Sequence, residues 1–140
     1  MDASSRLLFF HAVVILLISL LAGVPYGRAI LRKKPQALVH AWRVAHSSLA
    51  MGAVLMMALA AVLASLQVPG ITRLIIAWLF IISGYGFAFA LILGPLVKAR
   101  GLRAKGAPSA KAVYGGNVIG VVTSFGGTLL LLYATFVSLG

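Results

Sequence analysis

The chain contains four long apolar stretches. Short segments that are polar or contain proline and glycine separate them. Each stretch approaches or exceeds the roughly 20 residues that an α-helix needs to cross the hydrocarbon of a bilayer. The pattern predicts one domain over residues 1–140, an all-α integral membrane protein built as an antiparallel four-helix transmembrane bundle. The predicted helices cover about residues 7–24, 44–66, 74–97 and 113–139.

Proline and glycine mark the predicted ends of the apolar stretches. Pro25 follows the first stretch, residues 67–70 follow the second, and Gly94-Pro95 lies near the end of the third. We therefore expect the first helix to end near residue 24, since proline lacks a backbone N–H. Arg6 before an apolar run also resembles a secretory signal, but the run is long for one and no Ala-x-Ala site follows, which favours a retained helix.

Composition narrows the possible chemistry. Hydrophobic residues make up 62% of the chain and charged residues only 9%, whereas about a quarter of a soluble domain is charged. Asp2 is the single acid and there is no cysteine. These absences exclude carboxylate pairs, Ser-His-Asp triads, calcium and di-iron sites, disulfides and thiolate-metal sites. The histidines, tyrosines, hydroxyls, amides and a bound cofactor are left to carry any reaction.

Charge placement predicts the orientation. Positive residues cluster between the first and second stretches and between the third and fourth, so the positive-inside rule puts these loops in the cytoplasm and both termini on the opposite side of a bacterial-type inner membrane. Such loops contact anionic lipid, and without interleaved aromatic residues they give no indication of nucleic-acid binding. Two positive residues, Arg6 and Arg73, lie on the side of the termini. The ten on the side predicted to be cytoplasmic are Arg28, Arg32, Lys33, Lys34, Arg43, Lys98, Arg100, Arg103, Lys105 and Lys111.

Small residues recur every four positions in the third and fourth stretches. Spacing of this kind lets membrane helices approach closely. The contact is formed either inside one bundle or between protomers, and the small interior of a four-helix unit leads us to expect an oligomer. The two series are Gly86, Ala90 and Gly94, and Gly116, Gly120, Ser124 and Thr128.

Histidines inside apolar spans need a partner, either a hydrogen bond or a metal. Trp42 and Arg43 precede His46 by four and three residues, on nearly the same helical face, and the three resemble one edge of a haem site. His46 could bind the iron, Arg43 a propionate, and Trp42 the macrocycle or the interface. His11 is expected near the outer surface and His46 near the cytoplasmic one, so the two do not sandwich one iron, and His40 shares neither face nor level with His46. One histidine ligand leaves the second axial position open, which favours substrate binding over electron transfer.

The sequence WRVAHS at residues 42–47, followed by LAMG at 49–52, resembles the second helix of bacterial styrene oxide isomerases and of hydroxylaminobenzene mutases. Residues 6–23 are similar to the first helix of those mutases. The resemblance implies a homotrimer that holds haem b near the protomer interfaces, with His46 as the axial ligand of the iron. The iron then acts as a Lewis acid on a small hydrophobic, oxygen-bearing substrate. An aryl epoxide would become an aldehyde, and an aryl hydroxylamine would move its oxygen to the ring.

Two positions depart from the family pattern. Gly52 stands where the family has an asparagine, and Ala88 stands where an aromatic residue is expected. Tyr85 and Asn117 are the candidate replacements on the substrate side.

Two other function classes stay open. One is a non-catalytic haem protein, either an electron carrier or a sensor, on the same scaffold. The other is a small transporter, which would have to use His11 or His46 in place of a carboxylate.

Overall fold

A computed structural model describes all 140 residues and contains four helices and no strand. Helix α1 covers Ala3–Leu31, α2 Gln36–Leu63, α3 Gly70–Val97 and α4 Pro108–Val137. Each helix is long and apolar enough to cross a membrane, which confirms the predicted fold class. Both termini and the 64–69 linker lie at one end of the bundle, here called the terminal end. The 32–35 and 98–107 linkers lie at the other, here called the basic end.

The helices extend beyond most of the predicted spans. The expected end of the first helix at Pro25 is wrong, because α1 continues through this proline to Leu31. A membrane helix tolerates an internal proline when neighbouring groups satisfy the freed carbonyl, and breaking the helix would free several. Helix α2 starts at Gln36 and α4 at Pro108, before the apolar stretches, since hydropathy marks the hydrocarbon and the helix continues past it. At its other end α2 stops at Leu63, where the Ser65 hydroxyl donates to the Val62 carbonyl in a turn.

The order of contacts makes α3 the central helix. Helices α1 and α2 pack along each other, α3 packs against both, and α4 packs on α3 alone. Because α4 touches neither α1 nor α2, two cavities flank α3, one between α1 and α4 and one between α2 and α4. Those cavities bear on the function.

The interior is narrow, and the outer surface is mostly apolar. Leu8, Ile15, Ile76 and Ile81 are among the fully buried side chains between α1 and α3, with α2 contributing Leu49, Ala53, Met56 and Leu63. Large apolar side chains also face outward along all four helices, for example Phe10, Phe125 and Phe136. In water such a surface would drive aggregation, so this surface is suited to contact with lipid.

Glycines on α3 and α4 meet inside the protomer. A β-carbon added at Gly86 would lie 2.9 Å from the Gly120 nitrogen and 3.0 Å from the Gly116 carbonyl oxygen. One added at Gly116 would lie 3.1 Å from the Ala90 β-carbon. Ser83 donates from its hydroxyl to the Gly120 carbonyl at 2.8 Å. This part of the small-residue series therefore joins two helices of one bundle, the first of the two alternatives.

The remaining members of the series serve other contacts. A β-carbon at Gly94 would lie 2.9 Å from the Ala99 carbonyl oxygen, in the turn that ends α3. Ser124 donates to the Val121 carbonyl and Thr128 to the Ser124 carbonyl, both within α4. Hydroxyl groups bonded back to their own helix in this way satisfy themselves without a partner helix.

Asp2 joins two helices at the terminal end. Its carboxylate accepts from the Ser5 backbone N–H at 2.8 Å, which caps α1, and from Arg73 Nη1 of α3 at 2.8 Å. The N–H of Ser5, with the positive charge of Arg73, lowers the pKa of the Asp2 carboxyl. The single acid of the chain is therefore neutralised at the end opposite the ten cations.

Candidate functional site

His46 lies half-buried on α2 against α1, where a pair of hydrogen bonds joins the two helices. Its Nδ1 lies 2.9 Å from the Ser19 carbonyl oxygen. In return the fully buried Ser19 donates from its hydroxyl to the His46 carbonyl oxygen at 2.7 Å. We call these two bonds the Ser19–His46 clasp. It fixes the imidazole relative to both helix backbones.

The clasp determines which ring nitrogen of His46 is free. A carbonyl oxygen only accepts hydrogen bonds, so Nδ1 must carry the proton and donate it. In the neutral ring Nε2 then holds an unshared electron pair, and it has no hydrogen-bond partner in the chain. An Nδ1–H bonded to a backbone carbonyl is the usual arrangement behind a metal-ligating histidine, because it orients the ring and raises its basicity.

Two further residues of α1 hold the plane of the ring. A β-carbon added at Gly23 would lie 3.3 Å from His46 Nδ1 and 3.4 Å from Cε1, so glycine lets the imidazole approach the helix. Tyr26 stacks on the ring with the centroids 6.3 Å apart and the planes 25° apart. Ser19, Gly23 and Tyr26 lie on one face of α1 at spacings of four and three residues.

Trp42 and Arg43 lie on either side of His46 around the axis of α2, and they differ in exposure. Trp42 is 8% exposed and packs in a cluster with Ala22, Ala29 and Ala45, inside the protomer. Arg43 is exposed, and its Nη2 donates to His40 Nδ1 at 2.9 Å. Consecutive helix positions are about 100° apart, which separates an inward Trp42 from an outward Arg43. Trp42 thus supports the α1–α2 contact from inside, while Arg43 and His40 present polar groups outside.

The outer surface of α2 near His46 is open. Ser47 and Ser48 are exposed, Met51 is 73% exposed, and a β-carbon added at Gly52 would meet nothing within 4 Å. Ala88, by contrast, is 5% exposed and belongs to the main core. Of the two positions that depart from the family pattern, residue 52 therefore faces open space and residue 88 faces the protomer interior.

Tyr85 belongs to a different polar pair, on α3. Its hydroxyl shares a 2.9 Å hydrogen bond with His11 Nδ1 of α1, and Trp78 lies 6.3 Å from the His11 ring. The pair borders the cavity between α1 and α4, which has a volume of about 530 Å³ and is otherwise mostly apolar, with Phe89 and Gly115 in its walls. No hydrogen bond joins Tyr85 to His46.

Asn117 lies on α4 near the basic end. Its amide donates to the Gly101 carbonyl oxygen at 3.1 Å, which ties the helix to the 98–107 linker. It borders the cavity between α2 and α4, so it and Tyr85 line separate cavities. Neither predicted substrate-side group is hydrogen-bonded to His46 within one protomer.

The histidines lie at different levels of the bundle. His46 lies ten residues, or about 15 Å, inside α2, because the helix starts at Gln36. His11 lies eight residues before Ser19 on α1, which is about 12 Å along the axis. No cluster of three or more metal-binding side chains occurs in the chain. A metal at His46 would thus take its other ligands from a cofactor or from a second chain.

Comparison with known protein families identifies the family of this chain. A protein-family model described as styrene oxide isomerase matches residues 4–136. No curated protein matches the chain. The match covers nearly the whole length, includes both helices of the Ser19–His46 clasp, and confirms the family that WRVAHS suggested.

Proposed function

We propose that this chain, which belongs to the styrene oxide isomerase family, rearranges a small aromatic molecule that carries a reactive oxygen. Family membership supports an isomerase-type membrane protein. The first reaction that we propose converts an aryl epoxide to an aldehyde by a 1,2-hydride shift. The second, a related reaction, moves the oxygen of an aryl hydroxylamine to the ring. Both conserve every atom of the substrate. The observation that carries the proposal is the Ser19–His46 clasp, which leaves Nε2 of His46 free inside an apolar protein.

The residues at the clasp fit haem b. His46 supplies a neutral nitrogen donor with its proton fixed on the other ring nitrogen. Arg43 and His40, paired on the outer surface of α2, would bind a propionate. When bound, ferric haem supplies a Lewis acid that polarises the bond between the substrate oxygen and carbon or nitrogen.

The protein contributes position and exclusion of water. The Ser19 carbonyl keeps the proton on Nδ1, while Gly23 and Tyr26 fix the plane of the imidazole. Apolar surroundings keep water from a carbocation-like centre, which favours internal migration over hydrolysis. A hydride shift needs no carboxylate from the protein, and the single acid, Asp2, is bonded to Arg73 at the terminal end.

The substrate-side groups require a second protomer in this proposal. Tyr85 and Asn117 line cavities apart from the clasp, so they would approach His46 only from a neighbouring copy. We propose a homotrimer, supported by the open surface of α2 near His46 and by the one-sided packing of α4. We also propose that the basic end faces the cytoplasm of a bacterial-type inner membrane, on the charge asymmetry of ten to two.

A visible spectrum of the detergent-purified full chain tests the cofactor. We expect a Soret band after haem supplementation, which His46→Ala abolishes. His11→Ala is the matched control, since it removes an imidazole from the other polar pair and should keep the band. A colourless wild-type protein, or equal loss in the two variants, would refute the haem site.

Turnover tests the reaction separately. The haem-loaded protein is incubated with styrene oxide or phenylhydroxylamine, and we expect rearranged product that His46→Ala does not form. Absence of turnover with both compounds, together with a spectrum of two strong-field axial ligands, would favour the second candidate, a non-catalytic haem protein. That candidate is supported by Gly52 and Ala88, which place no polar group at the family-variant positions. A haem-free protein that moves protons would instead indicate a transporter.

A further inference from the structure

The cavity between α2 and α4 has a cationic rim at the basic end. Its volume is about 740 Å³, and Lys34, His40, Lys98 and Arg100 are among its lining residues. Lys34 lies in the linker before α2, and Lys98 and Arg100 follow α3. Two linkers and helix α2, which carries His40, therefore bring positive or titratable groups to one concave surface.

None of these cations has an anionic partner in the protein. Asp2, the only acid, is bonded to Arg73 at the opposite end of the bundle. The side chains of Lys34, Lys98 and Arg100 make no hydrogen bond or ion pair in the chain. Like charges gathered without a counter-ion repel one another, so an anion bound at the rim would stabilise the site.

The backbone adds a second observation. Lys98 ends α3 in the left-handed conformation, with φ of 55°, and Lys33, beside the rim residue Lys34, has φ of 48°. Glycine or asparagine usually occupies such positions, because a larger side chain costs conformational energy there. Lysine occupies position 98 at the rim of the cavity despite that cost.

The walls below the rim are apolar and run along the helices. Leu38 and Val44 of α2 face Leu91 of α3 across the cavity, and α4 stays apart from α2. The surface thus combines a cationic end with an apolar trough, which matches an amphiphile with phosphate at one end and acyl chains at the other. His46 packs on α1, so its clasp is a separate feature of α2.

We propose that this cavity binds an anionic phospholipid, with the phosphate at Lys34, Lys98 and Arg100 and an acyl chain along the trough between α2 and α4. The phosphate site does not use His46, although His40 and Asn117, which have roles in the proposed isomerase, also line this cavity. Its occupant comes from the leaflet that borders the basic end. A soluble phosphate or a second copy of the chain is the competing occupant that the experiments distinguish.

Native mass spectrometry of the full chain, loaded from mixed phosphatidylglycerol and phosphatidylcholine vesicles with the same acyl chains, tests the proposal. We expect phosphatidylglycerol to be retained at one per protomer and phosphatidylcholine to be lost. A triple variant, Lys34→Gln with Lys98→Gln and Arg100→Gln, should weaken retention at least tenfold. The matched control, Arg32→Gln with Arg103→Gln and Lys105→Gln, removes the same charge from the same linkers outside the cavity and should change retention less than twofold.

Several outcomes would overturn this site. If the two triple variants weaken lipid retention equally, the basic end attracts anionic lipid through its total charge and not through this cavity. If the protein retains both lipids equally, the site does not require a negatively charged headgroup. Displacement by millimolar inorganic phosphate alone, or equal binding of dihexanoyl and dioleoyl phosphatidylglycerol, would assign the rim to a soluble phosphate. Wild-type oligomers that retain no phosphatidylglycerol would favour a second copy in the cavity.

Two further variants test whether a change in lipid retention arises from misfolding or from loss of haem. Lys98→Gly removes one cation while suiting the left-handed backbone, so it should weaken retention without lowering the unfolding temperature. His46→Ala should leave lipid retention unchanged, whether or not the haem proposal holds. Loss of lipid in His46→Ala would contradict the separation of the two sites.

Discussion

The two halves of the bundle are held together by different chemistry. Helices α1 and α2 are joined by the polar Ser19–His46 clasp, whereas α3 and α4 approach through the backbones of Gly86, Gly116 and Gly120. In the α3–α4 pair the Ser83 hydroxyl is used by the Gly120 carbonyl. In the α1–α2 pair one ring nitrogen stays free after both contacts are made. The contact between α1 and α2 therefore leaves a nitrogen without a partner, and the contact between α3 and α4 leaves no such group.

The largest effect is expected from a substitution that disrupts the contact between α3 and α4. Gly120→Leu should destabilise the protein by about 3 kcal/mol or more, because its β-carbon alone would lie 2.9 Å from three atoms of the Phe87 ring. Thermal unfolding in detergent, followed by size-exclusion chromatography, measures the change. Gly126→Leu is the control on the same helix, since a β-carbon there would meet nothing within 4 Å. Similar unfolding temperatures in the two variants would show that the glycine contact does not hold α4.

A smaller effect is expected at the contact between α1 and α2, where a substitution should weaken ligand binding and leave the fold intact. Gly23→Ala forces the His46 ring away from α1, since the new β-carbon would lie 3.3 Å from Nδ1. We expect haem affinity to fall by about 10- to 100-fold, as for other changes behind a metal ligand, while the fold remains. Haem titration by absorbance measures the affinity, and Gly27→Ala on the same helix, with open space around it, is the control. An unchanged affinity would mean that the ring position is set elsewhere.

The hydroxyl half of the clasp is expected to contribute less. Ser19→Ala removes the bond to the His46 carbonyl and keeps the Ser19 backbone carbonyl that holds Nδ1. We expect a loss of about 1 kcal/mol in stability and a small change in haem affinity, since interhelical hydrogen bonds in membranes are worth about that much. Equilibrium unfolding in mixed micelles measures the first quantity. A haem loss as large as that of Gly23→Ala would show that the two bonds act as one unit.

The smallest effect concerns the Asp2–Arg73 pair, which links the two halves at the terminal end. The pKa of Asp2 is lowered in the folded protein, so its contribution to stability is present above the ordinary carboxyl pKa of about 3.9 and disappears as the pH falls through the lowered value. Partial exposure keeps the effect below about 1 kcal/mol. Unfolding temperatures between pH 3 and 6 measure it. Asp2→Asn should flatten that part of the profile, and a profile unchanged by the substitution would exclude this pair as its source.

The sequence predicted the helices better than their contacts. Hydropathy located four spans, because lipid requires apolar residues at every lipid-facing position, but it placed the start of α2 eight residues late by marking only the hydrocarbon. Arg43 and Trp42 were placed on one face by spacing alone, and the burial of Trp42 depends on how α1 and α3 pack around it.

Residues on α1 that hold His46 were missed for a related reason. Ser19, Gly23 and Tyr26 form a visible stripe in α1, yet nothing in the sequence states which stripe of α1 meets which level of α2. That register depends on both helices at once. Gly23 is the one residue of this stripe that indicates a contact in the sequence itself, because a glycine within a helix lets a neighbouring helix or side chain approach closely.

The contact order of the helices has a consequence for biogenesis. Each helix packs on one that precedes it in the chain: α2 on α1, α3 on both, and α4 on α3. During synthesis the Ser19–His46 clasp can thus close as soon as the second helix enters the bilayer, so the imidazole never waits unpaired for a later segment. The Ser83 hydroxyl, by contrast, must wait for α4. Once α1 and α2 are in the bilayer the clasp can be complete, and α4 then packs on α3 in a structure that has begun to assemble.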